Sequence, residues 1–569
     1  MTTVSEAGTT AHLDGYLQEL RAGALAWQRL SVADRAHLLH EVAGAAIATA
    51  SSWVAAAARA KGLPEHSPLA GEEWLSGPYP VAMNAATLAH SLEALADGRS
   101  PIDSAAVSRV GDRTVADVFP TSIWDRLLLS GFSAQVRFQA PVTPIEAINA
   151  AGLAQREPNV LPGTSVVLGA GNITSIAVLD TLYELVAHKR VVILKLNPVM
   201  DELLEPTRAV LRPLIEAGVV RVISGGTDVG AYLVEHELVD HVHITGSSQS
   251  HDAIVFGPGP AGEKRRRSGK PKLQKTITSE LGGVSPTIVV PDGWSLRDVR
   301  YQAEHVATQR LHNGGYNCIA TQVVVIPARW RYRDEFVRAL RAEVDGAPGR
   351  LDYYPGSSDR VASARESHQL AETCDHGRVL IPGLRPGDAA AAYSTEYFSP
   401  VLAVVEIERT GAEYLKEAAA FVNDELVGTL GANVLVHPRR RRRYGEAFDS
   451  FLSSLRYGTV AVNAWTAVGY LTASAPWGGY PGATLTSVDS GIGVVHNALL
   501  LADTEQTVVT GPFRPFPRSY ATGQWTLTPK PAWFVRNRTG ARTAELLLAF
   551  IASPGWGKLP RLFASALRG

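Results

Sequence analysis

The stretch TSVVLGAGNITSIAVLDTLYELVAHKRVVILKLNP, residues 164–198, decides the fold class. Two runs of aliphatic and β-branched residues, TSVVLGAG and RVVILKLNP, flank a helical segment through LDTLYELVAHK. Continuous apolar runs are typical of strands that are buried on both faces, and a helix of about ten to fifteen residues between two such strands indicates a β–α–β unit. This stretch therefore predicts a parallel, doubly wound α/β sheet.

The same alternation continues through EPTRAVLRPLIEAG, VVRVISGG, AYLVEHELV and HVHITGS. Sheets of this kind bind nucleotides at the carboxyl ends of their strands. Asn172 falls between a strand and a helix, where a carboxamide can donate a hydrogen bond to a developing oxyanion. Lys195 ends the next strand, where an ammonium can reach a ribose hydroxyl or a phosphate. Taken alone, each residue has a structural interpretation, since asparagine in such a turn often caps a helix.

The sequence HITGSS places Thr245, Gly246 and Ser247 at a junction between a strand and a helix. Backbone amides at a helix start, together with a small residue that permits close approach, suit a pyrophosphate. An ordinary capping turn is the alternative interpretation of this motif.

Two later motifs carry the candidate chemistry. In ELGGVSP, Glu280 ends a strand before Gly282 and Gly283, and a carboxylate there could activate a water molecule. In HNGGYNCIATQ, Cys318 lies at a glycine-flanked turn before an apolar strand. Small polar neighbours, Asn313 and Asn317 among them, would leave this thiol approachable, as a nucleophile must be.

In this order the motifs resemble the aldehyde dehydrogenase superfamily, over roughly residues 160–510. EYFSPVL is similar to the E-x-F-G-P motif of that family, and YGTVAVNAW and SAPWGGYPGA are similar to its late strand and P-F-G-G segment. The resemblance implies oxidation of an aldehyde to a carboxylic acid with NAD or NADP. It implies catalytic roles for Cys318, Glu280 and Asn172, and cofactor contacts from Lys195, Thr245, Gly246, Ser247, Leu281, Gly282, Glu396 and Phe398.

The resemblance also implies a division of the chain. We expect a helical region over residues 1–135, a Rossmann-type cofactor domain over 136–275 with a return segment at about 475–495, and a catalytic domain over 276–474. A small bridging strand over 496–514, with the segment FSAQVRFQA, would join protomers into a homodimer or homotetramer. Residues 515–569 are expected to form a C-terminal extension. The amino-terminal region carries helical patterns over Leu13 to Leu30 and Asp34 to Ala60 but no recognisable chemistry.

Three positions depart from the family pattern. Pro198 stands where members that prefer NAD often have a glutamate that holds the adenosine 2′-hydroxyl, so NADP becomes plausible. Tyr316 replaces a glutamine two residues before the nucleophile, and Ser399 replaces the glycine of E-x-F-G-P. A CoA-acylating aldehyde dehydrogenase is therefore kept as an alternative, although such relatives generally lack the hydrolytic glutamate. A catalytically silent binding protein is the second alternative.

Composition limits the remaining possibilities. A chain of 569 residues is expected to form two or three domains, and its net charge of −1 lacks the basic excess of a nucleic-acid binder. Two cysteines, Cys318 and Cys374, exclude a disulfide framework and favour a reducing compartment, and Cys374 is interpreted as structural. The amino terminus lacks a signal-peptide pattern, and no apolar run approaches the roughly 20 residues of a membrane span. We expect a cytoplasmic protein with a small aldehyde substrate and no metal site.

Two basic runs remain, a loop between Ser247 and Glu280 and a helix start at 439–443. The loop could contact a cofactor phosphate or an anionic substrate. A solvated surface is the preferred interpretation of both. The lysines and arginines of the loop are Lys264, Arg265, Arg266, Arg267, Lys270, Lys272 and Lys275.

Overall fold

The structure is a computed structural model that describes residues 6–64, 67–157 and 160–569. The start of the chain, on which the signal-peptide expectation partly rests, lies outside the described residues. The amino-terminal region forms five helices. They are α1 (Glu6–Arg29), α2 (Val32–Ala48), α3 (Ala50–Ala60), α4 (Ala70–Ser76) and α5 (Pro78–Ala96).

The second predicted helix is broken in two at Thr49. Ser31 caps α2 in a capping box with Asp34, so Asp34 lies in the first turn, as the sequence suggests. Thr49 bonds its hydroxyl to the Ala45 carbonyl, and the chain bends by 62° between α2 and α3. Among the described residues no single helix is long and apolar enough to cross a membrane, and α2 with α3 meets that test only as a bent pair.

The expectation that residues 1–135 are mostly helical misses a β segment. The strands β1 (Val107–Val110) and β2 (Arg113–Phe119) form a hairpin around Gly111 and Asp112, followed by α6 (Ile123–Leu128), β3 (Ser133–Phe138) and α7 (Pro144–Ala150). Strand β1 is largely exposed, and it therefore lacks the alternation of apolar and polar residues that marks a half-buried strand. Pairing with β2, which in turn pairs with β3, decides its conformation.

The predicted doubly wound sheet is present and has six strands in the order β17-β8-β7-β4-β5-β6. The five from β4 to β8 are parallel, and the edge strand β17 is antiparallel. The elements of this part are β4 (Thr164–Leu168), α8 (Ile176–Ala187), β5 (Val191–Lys195), α9 (Leu204–Glu216), β6 (Val220–Ile223), α10 (Thr227–Glu235), β7 (His241–Gly246), α11 (Ser248–Phe256), α12 (Gly259–Arg267) and β8 (Thr276–Leu281).

A second, larger sheet has eleven strands in the order β1-β2-β3-β19-β15-β14-β9-β10-β13-β12-β11. Its elements up to residue 471 are β9 (Ser285–Val290), α13 (Leu296–Leu311), β10 (Thr321–Pro327), α14 (Arg333–Gly346), α15 (Ser357–Ser367), β11 (Glu372–Thr373), β12 (Val379–Leu384), α16 (Ala391–Ser394), β13 (Val401–Ile407), α17 (Gly411–Asp424), β14 (Gly431–Val436), α18 (Pro438–Tyr444), α19 (Glu446–Ser454), β15 (Thr459–Val462) and α20 (Ala467–Leu471).

The remaining elements are β16 (Trp477–Gly478), β17 (Gly491–Ile492), β18 (Val494–His496), β19 (Thr504–Thr510), α21 (Gly540–Ala552) and α22 (Leu559–Ala566). Of these, β17 joins the smaller sheet, β19 joins the larger one, and β16 and β18 pair with each other in a separate two-stranded sheet. Strand β17, within the expected return segment, pairs with β8. Strand β19 pairs with β3 and β15 of the same chain, and a bridging role of β3 and β19 between protomers stays a prediction.

Three expectations about the segments of the chain change. Strand β8 belongs to the smaller sheet, so the chain leaves that sheet after Leu281 and not at 275. The basic segment is not a continuous loop, because α12 extends through Arg267. The C-terminal extension packs on the rest of the chain, because Arg518 bonds to the buried Asp298 and α21 packs on α4.

Candidate functional site

Cys318 lies between a short 3-10 turn, His312–Gly315, and the buried strand β10. Three residues of that turn have left-handed backbone conformations, with φ of 55° at Asn313, 70° at Gly314 and 87° at Gly315. Glycine adopts this region without steric cost, which explains the two glycines before the cysteine. The turn leaves the Cys318 side chain only partly buried, as the sequence predicts for a nucleophile.

A pair of asparagines holds the backbone of this turn. The Asn172 side chain donates to the Tyr316 carbonyl at 3.0 Å. The Asn313 side chain donates to the carbonyls of Asn172 and Tyr316, both at 3.1 Å. A carboxamide nitrogen has two hydrogens, so Asn172 keeps a second donor beyond this bond. Asn172 therefore contacts the loop that carries Cys318, and its hydrogen bonds also stabilise the conformation of that loop.

Glu280 is the residue of β8 that faces the thiol. Its side chain is buried, and its carboxylate lies close enough to the Cys318 thiol for the two groups to shift each other's pKa. The indole N–H of Trp477 donates to the same carboxylate at 3.5 Å. Burial, then the charge of Asp180, raises the Glu280 pKa to about 7. Burial and the charge of Glu280 hold the pKa of Cys318 well above its usual value, so the free thiol stays protonated at neutral pH.

A second charged group, which no sequence motif indicates, lies behind Glu280. Asp180, in the wholly buried helix α8, accepts hydrogen bonds from Thr245 at 2.9 Å and pairs with His496 at 3.0 Å and His243 at 3.3 Å. Although burial opposes its charge, the two imidazoles lower the Asp180 pKa to about 2. The carboxylate of Asp180 is therefore a fixed negative charge near Glu280.

The cofactor candidates lie together at the carboxyl-terminal edge of the smaller sheet, where its parallel strands end. Strand register pairs Leu168 with Lys195, and Thr245 with Glu280. The Lys195 ammonium donates to the Leu196 carbonyl at 3.2 Å, and burial lowers its pKa. Ser247 caps α11 by accepting from the Ser250 amide, so the capping interpretation of that turn also holds. Lys195, Thr245, Gly246, Ser247, Leu281 and Gly282 all lie at or just beyond the carboxyl ends of parallel strands.

Glu396 comes to this edge from the larger sheet. Its carboxylate lies against Gly282, where any Cβ would overlap it, and it accepts from the Gly283 amide. Burial raises the Glu396 pKa to about 8. One oxygen each of Glu280 and Glu396 has no hydrogen-bond partner among the described residues. Two buried acceptors at the end of a nucleotide-type sheet fit a ligand with hydroxyl donors, such as a ribose.

Phe398 lies two residues beyond Glu396 in a left-handed conformation, with φ of 43°. Its ring packs on Tyr354 at 4.8 Å and on Tyr316 at 6.1 Å between centroids. Tyr316, which replaces the family glutamine, donates to Asp352 at 3.0 Å, and its hydroxyl oxygen lies 2.9 Å from that of Ser357. Ser399 approaches Ser357 at 3.3 Å. The two departures from the family motifs therefore contact the same residue.

The amino-terminal helices also reach the site, which the sequence did not suggest. Glu72 of α4 accepts from the backbone N–H of Asn313 at 3.0 Å and pairs with Arg350. Next to this pair, Lys61 and Glu73 form an ion pair at 2.9 Å with both side chains fully buried. The signal that could have indicated this cluster is the run GEEW, because two adjacent carboxylates stand beside apolar helix residues.

An apolar pocket opens beside Cys318. Its walls come from five parts of the chain, including α4 and the C-terminal extension. It is lined by Leu75, Ser76, Ile173, Ile176, His312, Asn317, Cys318, Ile319, Trp465, Ala467, Val468, Tyr470, Leu471, Trp477 and Trp533.

The other predicted features lie outside the site. Cys374 is buried beneath α14, which suits a structural thiol. The basic residues around α12 make intramolecular contacts, such as Arg267 with Glu263 and Lys272 with Glu235. Among the described residues, one group of side chains has the spacing for a metal ion, the half-buried to exposed His40, His90 and Glu93 on α2 and α5.

Comparison with known proteins agrees with this geometry. A model of the aldehyde dehydrogenase family matches residues 199–349. N-succinylglutamate 5-semialdehyde dehydrogenase of Chromobacterium violaceum is 26% identical over 47% of this chain and 52% of its own length. A probable coniferyl aldehyde dehydrogenase of Pseudomonas aeruginosa is 28% identical over 36% of this chain and 41% of its own length. The chain spans about half the length of the curated relatives it matches.

Solved structures match over a larger share. The gamma-glutamyl-gamma-aminobutyraldehyde dehydrogenase of Burkholderia cenocepacia superimposes with a TM-score of 0.58 at 19% identity, covering 89% of each chain. The aldehyde dehydrogenase KauB of Pseudomonas aeruginosa gives 0.56 at 18% identity, covering 88% of this chain and 89% of its own. Fold and site thus define an α/β protein in which the carboxyl ends of a parallel, doubly wound sheet lie beside a cysteine. An aldehyde dehydrogenase family model thus matches part of the chain, its curated relatives are aldehyde dehydrogenases at low identity, and the chain has the aldehyde dehydrogenase fold.

Proposed function

We propose that this protein oxidises an aldehyde to a carboxylic acid with NAD or NADP, and that Cys318 is the nucleophile. The observation that carries the proposal is that the Cys318 thiol, beside an apolar pocket, and the buried Glu280 carboxylate lie close enough for each to shift the pKa of the other. A thiol in contact with a carboxylate whose pKa is about 7 has a base able to accept its proton near neutral pH.

The steps follow from these contacts. Glu280 accepts the thiol proton, and the Cys318 sulfur attacks the aldehyde carbon to form a thiohemiacetal. The second hydrogen of the Asn172 amide and the Cys318 backbone N–H stabilise the oxyanion. A bound nicotinamide would accept the hydride, which leaves a thioester on the sulfur. Glu280 releases the thiol proton to solvent and then takes a proton from water, the hydroxide attacks the thioester, and the acid leaves as the sulfur takes this proton back from Glu280 and the thiol re-forms.

The cofactor role of the sheet edge is supported by the two unpartnered acceptors and by the open space at Gly246. A Cβ at Gly246 would meet only the side chain of Ile244 within 4 Å. Lys195 and the start of α11 would hold the ribose and the pyrophosphate, Glu396 would accept from the nicotinamide ribose, and Phe398 would flank the ring. Pro198 leaves no carboxylate at its position to repel a 2′-phosphate, so both cofactors remain part of the proposal.

Two rival functions are tested by the same experiment. In a CoA-acylating enzyme, CoA and not water takes the acyl group. The contact of Glu280 with the thiol favours hydrolysis. The purified chain is mixed with aldehyde and NAD or NADP, with and without CoA, and the products are identified by mass spectrometry. We expect the free acid and reduced cofactor in equal amounts without CoA. An acyl-CoA product that requires CoA would contradict the proposal, and so would absence of both cofactor binding and turnover.

A cytoplasmic location and assembly as a homodimer or homotetramer belong to the same proposal. The two cysteines are both free, which suits a reducing compartment. Light scattering on the purified chain gives the mass in solution, and a value equal to one chain of 60.8 kDa would contradict the assembly.

A further inference from the structure

We infer that the substrate is an uncharged aldehyde with an apolar chain or ring, and that Trp533 of the C-terminal extension closes the pocket that selects it. This inference rests on the proposed function, since it takes the pocket beside Cys318 as the place of the aldehyde.

The first argument is the chemistry of the walls. Among the described residues that line the pocket there is no aspartate, glutamate, lysine or arginine. Most of the surface is aliphatic or aromatic, with the walls formed by Leu75, Ile173, Ile176, Trp465, Val468, Leu471, Trp477 and Trp533. Burial of apolar substrate surface against such walls is favourable in proportion to its area.

The second argument is that the polar groups of the lining are neutral, and most of them are already bonded. Burial lowers the pKa of His312, so its imidazole is uncharged at neutral pH. The Asn317 amide donates to the His312 carbonyl at 2.8 Å, and the Tyr470 hydroxyl bonds to Ser175 at 2.6 Å. The buried indole N–H groups of Trp465 and Trp533 have no hydrogen-bond partner within the described part of the chain, but neutral donors do not replace the opposite charge that a buried ion requires.

The third argument is the carboxylate behind the thiol. Glu280 lies against Cys318 and Trp477, which both line the pocket, and above its pKa of about 7 its carboxylate is negatively charged. An aldehyde that carries a carboxylate would meet repulsion there and would find no cation in the walls.

The position of Trp533 is fixed by its neighbours in sequence. Phe534 stacks on His305 of α13 at 5.3 Å, and the backbone N–H of Val535 donates to Thr308 at 3.3 Å. The Trp533 ring itself packs edge-on against Phe132 at 6.2 Å. The extension is therefore anchored on α13, the helix that leads into the Cys318 turn, and it places one aromatic wall of the pocket.

The first experiment compares three aldehydes of similar size with the full chain: hexanal, succinic semialdehyde as the anion, and 4-(trimethylammonio)butanal as the cation. We expect kcat/KM for hexanal to exceed both others by about 100-fold, because a charge would enter the pocket unpaired. Among linear aldehydes from propanal to hexanal, kcat/KM should rise about threefold per methylene. A charged aldehyde that equals hexanal would overturn the inference and leave the proposed function standing. Absence of oxidation of every aldehyde would overturn both.

The second experiment tests the walls. Trp533→Ala should lower kcat/KM for hexanal about tenfold, mainly through KM, because it removes an apolar wall. Trp525→Ala is the matched control, since that tryptophan lies in the same extension and is 82% exposed. Circular dichroism melts of both variants report folding.

If Trp533→Ala does not fold, Val468→Thr is used in its place. It replaces one methyl group of the wall with a hydroxyl at nearly constant volume and should lower kcat/KM for hexanal several-fold. Unchanged kcat/KM for hexanal in the folded variant would overturn the assignment of the wall.

Discussion

The Glu72 carboxylate accepts a hydrogen bond from the backbone N–H of Asn313 at 3.0 Å, across 241 positions of sequence. The same carboxylate pairs with Arg350, and both side chains are nearly fully buried, at 5% and 7% exposed. Asn313 in turn bonds to the carbonyls of Asn172 and Tyr316. One residue of an amino-terminal helix thus fixes the turn that presents Cys318.

Replacement of Glu72 tests this connection. Glu72→Ala leaves Arg350 buried without its partner and should lower the free energy of unfolding by about 3–5 kcal/mol. In the folded variant we also expect kcat to fall on the order of tenfold, because the Asn313 turn loses an anchor. Denaturant unfolding, steady-state kinetics and the rate of Cys318 alkylation measure these effects. Glu41→Gln, on the exposed face of α2, is the control, and equal thiol reactivity in Glu72→Ala and the wild type would contradict the connection.

Replacement of each cysteine in turn tests which thiol is the nucleophile and which is structural. Cys318→Ala should lose turnover by on the order of 10³-fold or more, because no covalent intermediate can form. It should still bind NAD or NADP, since no cofactor candidate is changed. Cys374→Ala, at a buried site under α14, should keep kcat within about twofold and lose some stability. Retained turnover of Cys318→Ala in a stopped assay for reduced cofactor would rule out the proposed mechanism.

The pH dependence follows from the Glu280 pKa of about 7. Below that pH the carboxyl is protonated and cannot accept the thiol proton, so kcat/KM should rise with pH through about 7. The Cys318 pKa lies well above its usual value, so its own ionisation does not produce this rise. Initial rates between pH 5.5 and 9 should show this rise in the wild type, whereas kcat/KM of Glu280→Gln should be low and independent of pH. A rise with the same midpoint in Glu280→Gln would mean that another group causes it.

Replacement of Asp180 provides an independent test of whether the Glu280 carboxyl causes this pH dependence. Its charge raises the Glu280 pKa, so Asp180→Asn should shift the rise of kcat/KM to lower pH. The folded-state pKa of Asp180 is about 2, below its ordinary value of 3.8. The pairing therefore stabilises the fold above pH 3.8, by about 2 kcal/mol, and this contribution is lost as pH falls through about 2.

The measurements for Asp180→Asn are the pH profile of kcat/KM and urea unfolding at pH 7. The exposed Glu237→Gln is the control in the same domain, and it should leave both unchanged. A profile of Asp180→Asn that moves to higher pH would contradict the proposed electrostatic coupling.

The sequence predicts the parallel sheet and the candidate residues because strand ends of such a sheet lie together, whatever the loops do. Lys195, Thr245 and Glu280 are therefore correctly placed at one edge from chain order alone. The change of sheet between β8 and β9 is not predictable locally, since only Gly282, Gly283 and Val284 separate two similar apolar strands. The cluster around Glu72 is missed because charged residues on a helix normally face solvent, and only tertiary contact shows that Lys61 and Arg350 neutralise it.

The cofactor edge is tested by Lys195→Ala. The Lys195 ammonium lies at the carboxyl end of β5 and bonds only to the neighbouring Leu196 carbonyl among the described residues, so it is available to a ribose or phosphate. We expect its loss to raise the Kd for NAD or NADP about tenfold, the effect of one charge-assisted hydrogen bond. Lys264→Ala, in the exposed part of α12, is the matched control and should leave Kd unchanged if that segment is a solvated surface. Fluorescence titration of both variants gives the answer. A Kd raised by Lys264→Ala and not by Lys195→Ala would move the phosphate site to the basic segment and contradict the assignment of the sheet edge.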